Sequence, residues 1–216
     1  MSNLILEIKD VSHSYDENET TLDNINLAVN EGEKVSILGP SGSGKSTLLR
    51  LIAGLEKPRS GSISIKGEIV STKDLVIAPE KRNLGLVVQE KALFPHLTVS
   101  ENITFGIKKK RDKNKIVLDL LTLFKIDHLS KKYPHEISGG EQQRTALARS
   151  MAPSPELLML DEPFSALDQN LKEDLYSELN HIFEERKQTI LLVSHDIKEA
   201  EALSERQIDI ERELIV

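Results

Sequence analysis

Apolar and polar residues alternate near the start of the chain, which predicts β-strands with one buried face. The alternation covers residues 4–11 and 22–29, and it returns at residues 62–65. Turn-forming stretches separate these segments, one of them containing Gly32 and another formed by residues 58–61. We therefore expect the chain to open with an antiparallel β-layer.

Short apolar runs follow, and they predict strands that are buried on both faces. These runs lie at residues 35–38, 84–88, 157–160 and 189–193. Helix-like segments separate them, and strands that alternate with helices predict a mostly parallel sheet. Because ligands bind beyond the carboxyl ends of parallel strands, functional residues are expected directly after these runs.

One long segment, residues 92–152, has helical spacing and little β-character. We expect it to be a helical insertion in a core that is formed by residues 1–91 and 153–216. The apolar residues at helical spacing include Ile116, Val117, Leu120, Leu121 and Phe124.

The composition narrows the class of partner. Of the 216 residues, 38% are hydrophobic, which is enough for a substantial core. The formal net charge of −7 would repel a phosphate backbone, so nucleic acid is not an expected partner. The lack of cysteine excludes disulfides and thiolate metal sites and fits the cytoplasm. The sequence shows neither a signal peptide nor an apolar run of the ~20 residues that span a bilayer, so any membrane role requires another protein.

A glycine-rich loop precedes a segment that favours a helix from Lys45 to Ala53, ending at Gly54. The loop fits the P-loop pattern GxxxxGK[ST] at every fixed position, in the strand-to-helix setting that this motif requires. We expect its N–H groups to hold phosphates, Lys45 to reach the β- and γ-phosphates, and Ser46 to bind Mg²⁺. The matching residues are Gly39, Pro40, Ser41, Gly42, Ser43, Gly44, Lys45 and Ser46.

Two carboxylates end the apolar run at residues 157–160. We expect Asp161 to hold Mg²⁺ and Glu162 to orient and deprotonate an attacking water. We also expect this strand to lie beside the P-loop strand, which would bring both carboxylates to the phosphates. His195 follows another run and is therefore expected at the same edge, where it could contact the γ-phosphate and the water.

A second candidate anion site starts another helix. Ser138, Gly139 and Gly140 precede Glu141 and a strongly helix-forming stretch. A simple serine N-cap would explain Ser138 alone, but the paired flexible glycines favour a nest of N–H groups that binds an anion. Because one chain then carries two phosphate-binding helix starts, we expect a nucleotide to lie between two copies.

Together these motifs resemble the ATP-binding cassette family over nearly the whole chain. Residues 39–47, ending at Thr47, look like its Walker A element, and residues 157–162 look like its Walker B element. The signature, normally LSGGQ, has Ile137 in its first position here and Glu141 in its fifth.

The resemblance implies further roles. Tyr15 would stack on adenine, and Gln89 would contact Mg²⁺, take part in catalysis and link to a transmembrane partner. His195 would be the switch histidine, and residues 165–168 would form the D-loop. ATP and Mg²⁺ would be the cofactors, and the ATP held by one subunit would contact residues of the opposite subunit. These residues are Ser138, Gly139, Gly140 and Glu141.

The implied fold is an α/β P-loop NTPase with a mostly parallel sheet core, an N-terminal antiparallel β-subdomain and an inserted helical subdomain, all within a single domain of residues 1–216. Residues 79–82 and 92–103 resemble the corresponding segments of importer subunits for ferric iron, polyamines, sugars, sulfate or molybdate. The expected partners are a transmembrane permease, a second subunit that dimerises with ATP and, indirectly, a solute-binding protein. The expected location is cytoplasmic, peripheral on the inner face of the plasma membrane.

The C-terminal part departs from these importer subunits. With 216 residues, we expect the chain not to include the regulatory domain that many of them carry, and residues 205–212 lack the glycine turn of the usual terminal hairpin. The sequence does not reveal the transported solute or whether the partner cassette is identical.

Three alternatives stay open. A soluble cassette ATPase without a transport role would share the motifs, but such relatives usually carry a coiled-coil insertion or two cassettes. A P-loop GTPase or small kinase would use the same loop, yet residues 114–117 lack the aspartate of an NKxD base reader. A module that binds nucleotide without cleaving it is opposed by Glu162. The basic run at residues 108–113 is expected to be a solvated loop or helix end.

Overall fold

The computed structural model describes residues 3–16, 21–88, 92–107, 112–165, 167 and 169–211. Within these ranges the chain forms two sheets and six α-helices. The strands are β1 (Leu4–His13), β2 (Leu22–Asn30), β3 (Lys34–Leu38), β4 (Ser60–Ile65), β5 (Glu68–Thr72), β6 (Leu84–Val87), β7 (Leu157–Asp161), β8 (Ile190–Ser194) and β9 (Arg206–Asp209). The helices are α1 (Lys45–Ala53), α2 (Val99–Thr104), α3 (Lys113–Leu123), α4 (Gly139–Met151), α5 (Gln169–Glu185) and α6 (Ile197–Leu203).

The antiparallel sheet has the strand order β2-β1-β4-β5, which confirms the β-layer that the alternation predicts. Ile8 in β1 pairs with Leu27 on one side and Ile63 on the other, and all three side chains are buried. β5 is an additional strand that the sequence analysis does not anticipate. It follows a tight turn in which both Lys66 and Gly67 have positive φ, as a short hairpin requires.

The parallel sheet has the strand order β6-β7-β8-β3-β9. The expectation that β7 lies beside the P-loop strand β3 is wrong, because β8 lies between them and Ile190 pairs with both Lys34 and Leu158. β3, β7 and β8 are buried on both faces, so their apolar runs are interchangeable and do not encode strand order. Their carboxyl ends nevertheless form one continuous edge.

The described part of residues 92–152 contains α2, α3 and α4 and no strand. These helices share a core that reaches the segment after β7. Its buried side chains include Val99, Ile103, Leu120, Leu147 and Phe164. The helical spacing in the sequence comes from the side chains that build this core.

Two short elements near the end of the described chain, α6 and β9, are not predicted by the sequence pattern. β9 extends the edge of the sheet by pairing in parallel with β3. Elements of seven and four residues are too short to show a clear period. None of the described helices is long and apolar enough to cross a bilayer.

A buried arginine, Arg82, fastens the P-loop helix to the antiparallel layer. The residue is 3% exposed, and its guanidinium donates to the carbonyl oxygens of Leu51 and Ile52 at the end of α1. It also donates to the carbonyl oxygen of Val70 and the hydroxyl of Ser71 in β5. The Nε donor bonds to the carbonyl oxygen of a residue in the connection to β6. All five N–H donors of the side chain are therefore used.

Candidate nucleotide and catalytic site

The start of α1 is open to an anion. Its N-cap is Gly44, with φ of 90°, and no described side chain caps the helix. A Cβ at Gly44 would lie 2.6 Å from the side chain of Leu22, so only glycine fits this turn. The first turn of α1 contains no acidic residue. Its first N–H groups and the positive end of the helix dipole therefore remain available to a phosphate.

A cavity of about 410 Å³ lies over this helix start. This volume is ordinary for a small-molecule site. It brings the P-loop together with side chains from two other parts of the sequence. Its lining residues are Tyr15, Thr21, Ser41, Gly42, Gly44, Lys45, Ser46, Thr47 and Glu162. The sequence analysis does not predict Thr21, because this residue belongs to no motif and reaches the cavity only through the pairing of β1 with β2.

The side chain of Lys45 is folded back over the loop. Its Nζ donates hydrogen bonds of 2.8 Å to the carbonyl oxygens of Gly39 and Pro40, and it lies 3.9 Å from Glu162 Oε1. Burial lowers the pKa of Lys45, while the carboxylates of Glu162 and Asp161 act in the opposite direction. A phosphate would be a stronger partner for this ammonium than neutral carbonyls are, because both partners would then carry charge.

Ser46 and Asp161 form the candidate metal site. Ser46 Oγ donates a 2.8 Å hydrogen bond to Asp161 Oδ1. Burial raises the pKa of Asp161, and the bond from Ser46 opposes this shift. A hydroxyl and a carboxylate oxygen suit Mg²⁺, which completes its shell with phosphate oxygens and water. The described residues contain no cluster of three or more His, Cys, Asp or Glu side chains that could hold a metal.

Glu162 is positioned by an uncommon backbone conformation. Its φ of 43° lies in the left-handed region, which costs a residue with a Cβ about 1 kcal/mol. Its N–H donates a 3.0 Å hydrogen bond to the carbonyl oxygen of Val193 in β8, which fixes the turn out of β7. The side chain is 16% exposed and lines the cavity. Backbone strain of this kind is concentrated at functional sites.

The structure brings His195 to Glu162. His195 Nδ1 lies 3.2 Å from Glu162 Oε2, and the imidazole is 52% exposed. Nδ1 is therefore the ring nitrogen that faces the carboxylate. Nε2 is then the ring nitrogen that is left for a substrate.

Tyr15 lies at the open side of the cavity. The residue is 53% exposed, and its hydroxyl lies 3.3 Å from Thr47 Oγ1. The ring of His13 packs edge-on against it, with centroids 5.0 Å apart. His13 is itself anchored, because its Nδ1 lies 2.9 Å from the carbonyl oxygen of Lys57. An aromatic face held beside the P-loop in this way can stack on a base.

The second candidate helix start is closed by the chain itself. Ser138 is the N-cap of α4, and its Oγ accepts a hydrogen bond from the N–H of Glu141. In return, Glu141 Oε2 accepts from the Ser138 N–H at 2.8 Å and from the Ser138 hydroxyl at 2.7 Å. These bonds lower the pKa of Glu141. Ser138, Gly139, Gly140 and Glu141 do not line the cavity over the P-loop.

Some residues of interest lie elsewhere. Gln89, which the resemblance assigns to metal binding and catalysis, and two D-loop residues, Ala166 and Asp168, fall outside the described residues. Behind His195, the sequence analysis misses a buried hydrogen bond of 2.8 Å between Ser194 and Glu199. An acidic residue three positions after an N-cap is a readable signal for a helix start, and it could have drawn attention to Glu199.

Comparison with known proteins supplies a family. The family model for "ABC transporter" matches residues 22–165. The chain is 43% identical over 209 residues to the sulfate/thiosulfate import ATP-binding protein CysA of Pectobacterium atrosepticum, covering 93% of this chain and 62% of that protein. It is 42% identical over 208 residues to the spermidine/putrescine import ATP-binding protein PotA of Lawsonia intracellularis, covering 94% of this chain and 55% of that protein. The chain thus spans less than two thirds of the length of these two relatives.

Solved structures agree with the fold. The dimeric structure of the ATP-binding cassette MJ0796 has a TM-score of 0.82 at 33% identity, with 97% of this chain and 96% of that chain covered. A dimeric post-hydrolysis state of the same cassette, bound to ADP and Pi, has a TM-score of 0.79 at 33% identity, with 94% and 96% covered. The family match, the P-loop geometry and the two-sheet architecture agree, and the chain belongs to the ABC transporter family.

Proposed function

We propose that this chain is the ATP-binding and ATP-hydrolysing subunit of an ABC importer. The observation that carries the proposal is the convergence of four side chains at one edge of the parallel sheet, at the carboxyl ends of β3 and β7. Lys45 and Ser46 come from the P-loop helix, and Asp161 and Glu162 come from the end of β7. The import names of the two relatives support the importer class.

The P-loop is proposed to hold the triphosphate. The uncapped N–H groups of α1 would face the phosphates, and Lys45 would exchange two carbonyl partners for phosphate oxygens. The hydroxyl of Ser43 is buried and has no hydrogen-bond partner within the ranges that the structure describes, which is what a donor reserved for a ligand would show. Tyr15 would stack on the adenine, with Thr47 beneath its hydroxyl.

The residues also fit Mg²⁺. Ser46 and Asp161 would hold the ion, and Gln89 is proposed to join them. When bound, the ion would neutralise charge on the β- and γ-phosphates. The raised pKa of Asp161 gives a reason for this pairing, because a buried carboxylate is stabilised by a nearby positive charge.

Glu162 is proposed as the general base. A water oxygen would form a bond to the γ-phosphorus while Glu162 takes a proton from that water, and the bond from the γ-phosphorus to the bridging oxygen would break to release ADP. Lys45 Nζ lies 3.9 Å from Glu162 Oε1, so a positive charge stands beside the proposed base. His195 holds the other carboxylate oxygen and would direct Nε2 at the γ-phosphate.

The partners and the location of the chain are also part of this proposal. A second copy would place its Ser138–Glu141 helix start over the γ-phosphate, as in an ATP-dependent dimer. Residues 92–152 would act as a helical unit within one domain and carry motion to a transmembrane permease, with a solute-binding protein acting indirectly. The chain would then sit in the cytoplasm, on the inner face of the plasma membrane.

Replacing Glu162 with Gln tests the proposal. The Glu162→Gln variant should bind ATP but release phosphate at least about 100-fold more slowly than the wild-type chain, because the proton acceptor is lost. It should also accumulate as a dimer in light scattering with saturating ATP and Mg²⁺. The exposed Glu80 provides the matched control, since Glu80→Gln should hydrolyse ATP normally. Full turnover in Glu162→Gln would contradict the assigned base.

A further inference from the structure

A buried carboxylate, Glu199, lies behind the candidate catalytic histidine. It is the third residue of α6 and is only 2% exposed. Its Oε2 accepts a 2.8 Å hydrogen bond from Ser194 Oγ, and its Oε1 is buried with no hydrogen-bond partner in the described part of the chain. Burial raises the pKa of Glu199 to about 7. A carboxyl in such a place destabilises the fold, so a purely structural role would be served better by an apolar side chain.

The hydrogen bonds around Glu199 hold both neighbours of His195. Ser194 Oγ donates to Glu199 Oε2 and accepts a 2.9 Å hydrogen bond from the N–H of Asp196. In an ordinary capping box the acid at this helix position would bond to that N–H directly. Here the serine hydroxyl is inserted between them. The peptide that carries His195 is therefore tied at both ends to one buried carboxylate.

Other groups enclose the cluster from the neighbouring elements. From α5, Lys172 Nζ lies 3.9 Å from Asp196 Oδ2 and partly offsets the raised pKa of Glu199. The buried hydroxyl of Tyr176, also on α5, has no hydrogen-bond partner among the described residues. Burial raises the pKa of Tyr176, and the charge of Glu199 adds to this shift. The charge of Glu162, at the end of β7, repels that of Glu199 and adds to the rise of its pKa. The cluster thus connects α5 with the turn that presents His195.

We propose that Glu199 is a positioning residue for ATP hydrolysis, acting through Ser194 to fix the peptide on which His195 meets Glu162. The inference rests on the proposed function, because it assigns a role to His195 in the reaction. Glu199 itself does not touch the cavity. Its loss should therefore change the orientation of the imidazole and leave the phosphate contacts of the P-loop intact.

Steady-state kinetics of Glu199→Ala separate positioning from binding. We expect kcat to fall about tenfold or more while KM for ATP stays within about twofold, because only the catalytic edge is misaligned. Glu199→Gln should restore most of the rate, since its amide oxygen still accepts the bond from Ser194. Glu201→Ala is the matched control: it removes an exposed glutamate from the same helix and should match the wild-type chain.

A second measurement does not depend on turnover. The imidazole resonance of His195, identified in the NMR spectrum by its loss in His195→Gln, should shift in Glu199→Ala and stay in place in Glu201→Ala, both without nucleotide. If Glu199→Ala does not fold, Ser194→Ala removes the same hydrogen bond from the other side and should give the same shift and the same loss of kcat.

Three results would overturn the inference. They are an unmoved His195 resonance in a folded variant, a raised KM with normal kcat, and a Glu199→Gln variant as slow as Glu199→Ala. A wild-type chain that does not hydrolyse ATP would contradict the proposed function. The comparison of the His195 resonance in Glu199→Ala and Glu201→Ala would then test by itself whether Glu199 positions His195.

Discussion

The two helix starts that the sequence marks as anion sites are built in opposite ways. α1 begins after Gly44 without a side-chain cap and has no acidic residue in its first turn. α4 begins after Ser138 with a complete capping box, in which the Glu141 carboxylate accepts from the N–H and the hydroxyl of Ser138. The first start is open to a phosphate, while the second already holds an anion that belongs to its own chain.

This difference shows how one chain can carry one helix start that binds a phosphate by itself and a second one that binds a phosphate only under a further condition. A phosphate can enter the α1 start without displacing a side chain other than Lys45. At α4 the hydroxyl of Ser138 must first leave Glu141, and the carboxylate repels an incoming phosphate. We therefore expect α4 to engage a nucleotide only when another subunit presents it.

The comparison predicts its largest effect at Lys45. Lys45→Ala should weaken ATP binding by a single chain on the order of 100-fold, because a buried charge-assisted contact to the phosphates is lost. Ser138→Ala should leave the same affinity unchanged, and so should Lys73→Ala, which removes an exposed lysine. Titration calorimetry measures all three, and equal affinities in Lys45→Ala and the wild-type chain would break the comparison.

A smaller effect is expected at Glu141. Glu141→Gln keeps acceptors for the Ser138 donors but removes the negative charge, so ATP-dependent dimers should form about three- to tenfold more tightly. Sedimentation in a Glu162→Gln background gives the dimer constant without hydrolysis. Glu136, which closes a similar box on Tyr133, provides the control, because Glu136→Gln should leave dimerisation unchanged. Weaker dimers in Glu141→Gln would show that the carboxylate helps the contact.

The smallest effect concerns stability. Ser138→Ala should lower the free energy of unfolding by about 1 kcal/mol at neutral pH, because the N-cap is lost. The folded-state pKa of Glu141 lies below its ordinary 4.5, so the stabilisation is present above that value and is lost as the pH falls through the folded pKa. Urea titrations at neutral and acid pH should therefore show a difference between variant and wild type that shrinks in acid.

The sequence predicts the P-loop well because every requirement of that site is local. The turn at Gly44, the helix bounds Lys45–Ala53 and the cap at Gly54 all follow from residues within one stretch. The meeting of Ser46 with Asp161 also follows, although the argument behind it names the wrong strand neighbour. The prediction holds in spite of that error, because the carboxyl ends of all the parallel strands lie at one edge of the sheet, whichever strands are neighbours.

Other features depend on packing that no short pattern encodes. Strand order is hidden because β3, β7 and β8 are equally apolar. The closure of α4 could have been foreseen, since Ser138 and Glu141 have the spacing of a capping box. The burial of Glu199 could not, because the seven residues of α6 are too few to reveal which face meets the core.

The clasp formed by Arg82 has a mechanical consequence. The guanidinium is hydrogen-bonded both to the end of α1 and to strand β5. We therefore expect a movement of the antiparallel layer to move the P-loop helix with it. Lysine gathers its donors at a single nitrogen and could not span these acceptors. The P-loop helix is thus held to the antiparallel layer at its carboxyl end, so any hinge that moves when nucleotide binds must lie elsewhere in the molecule.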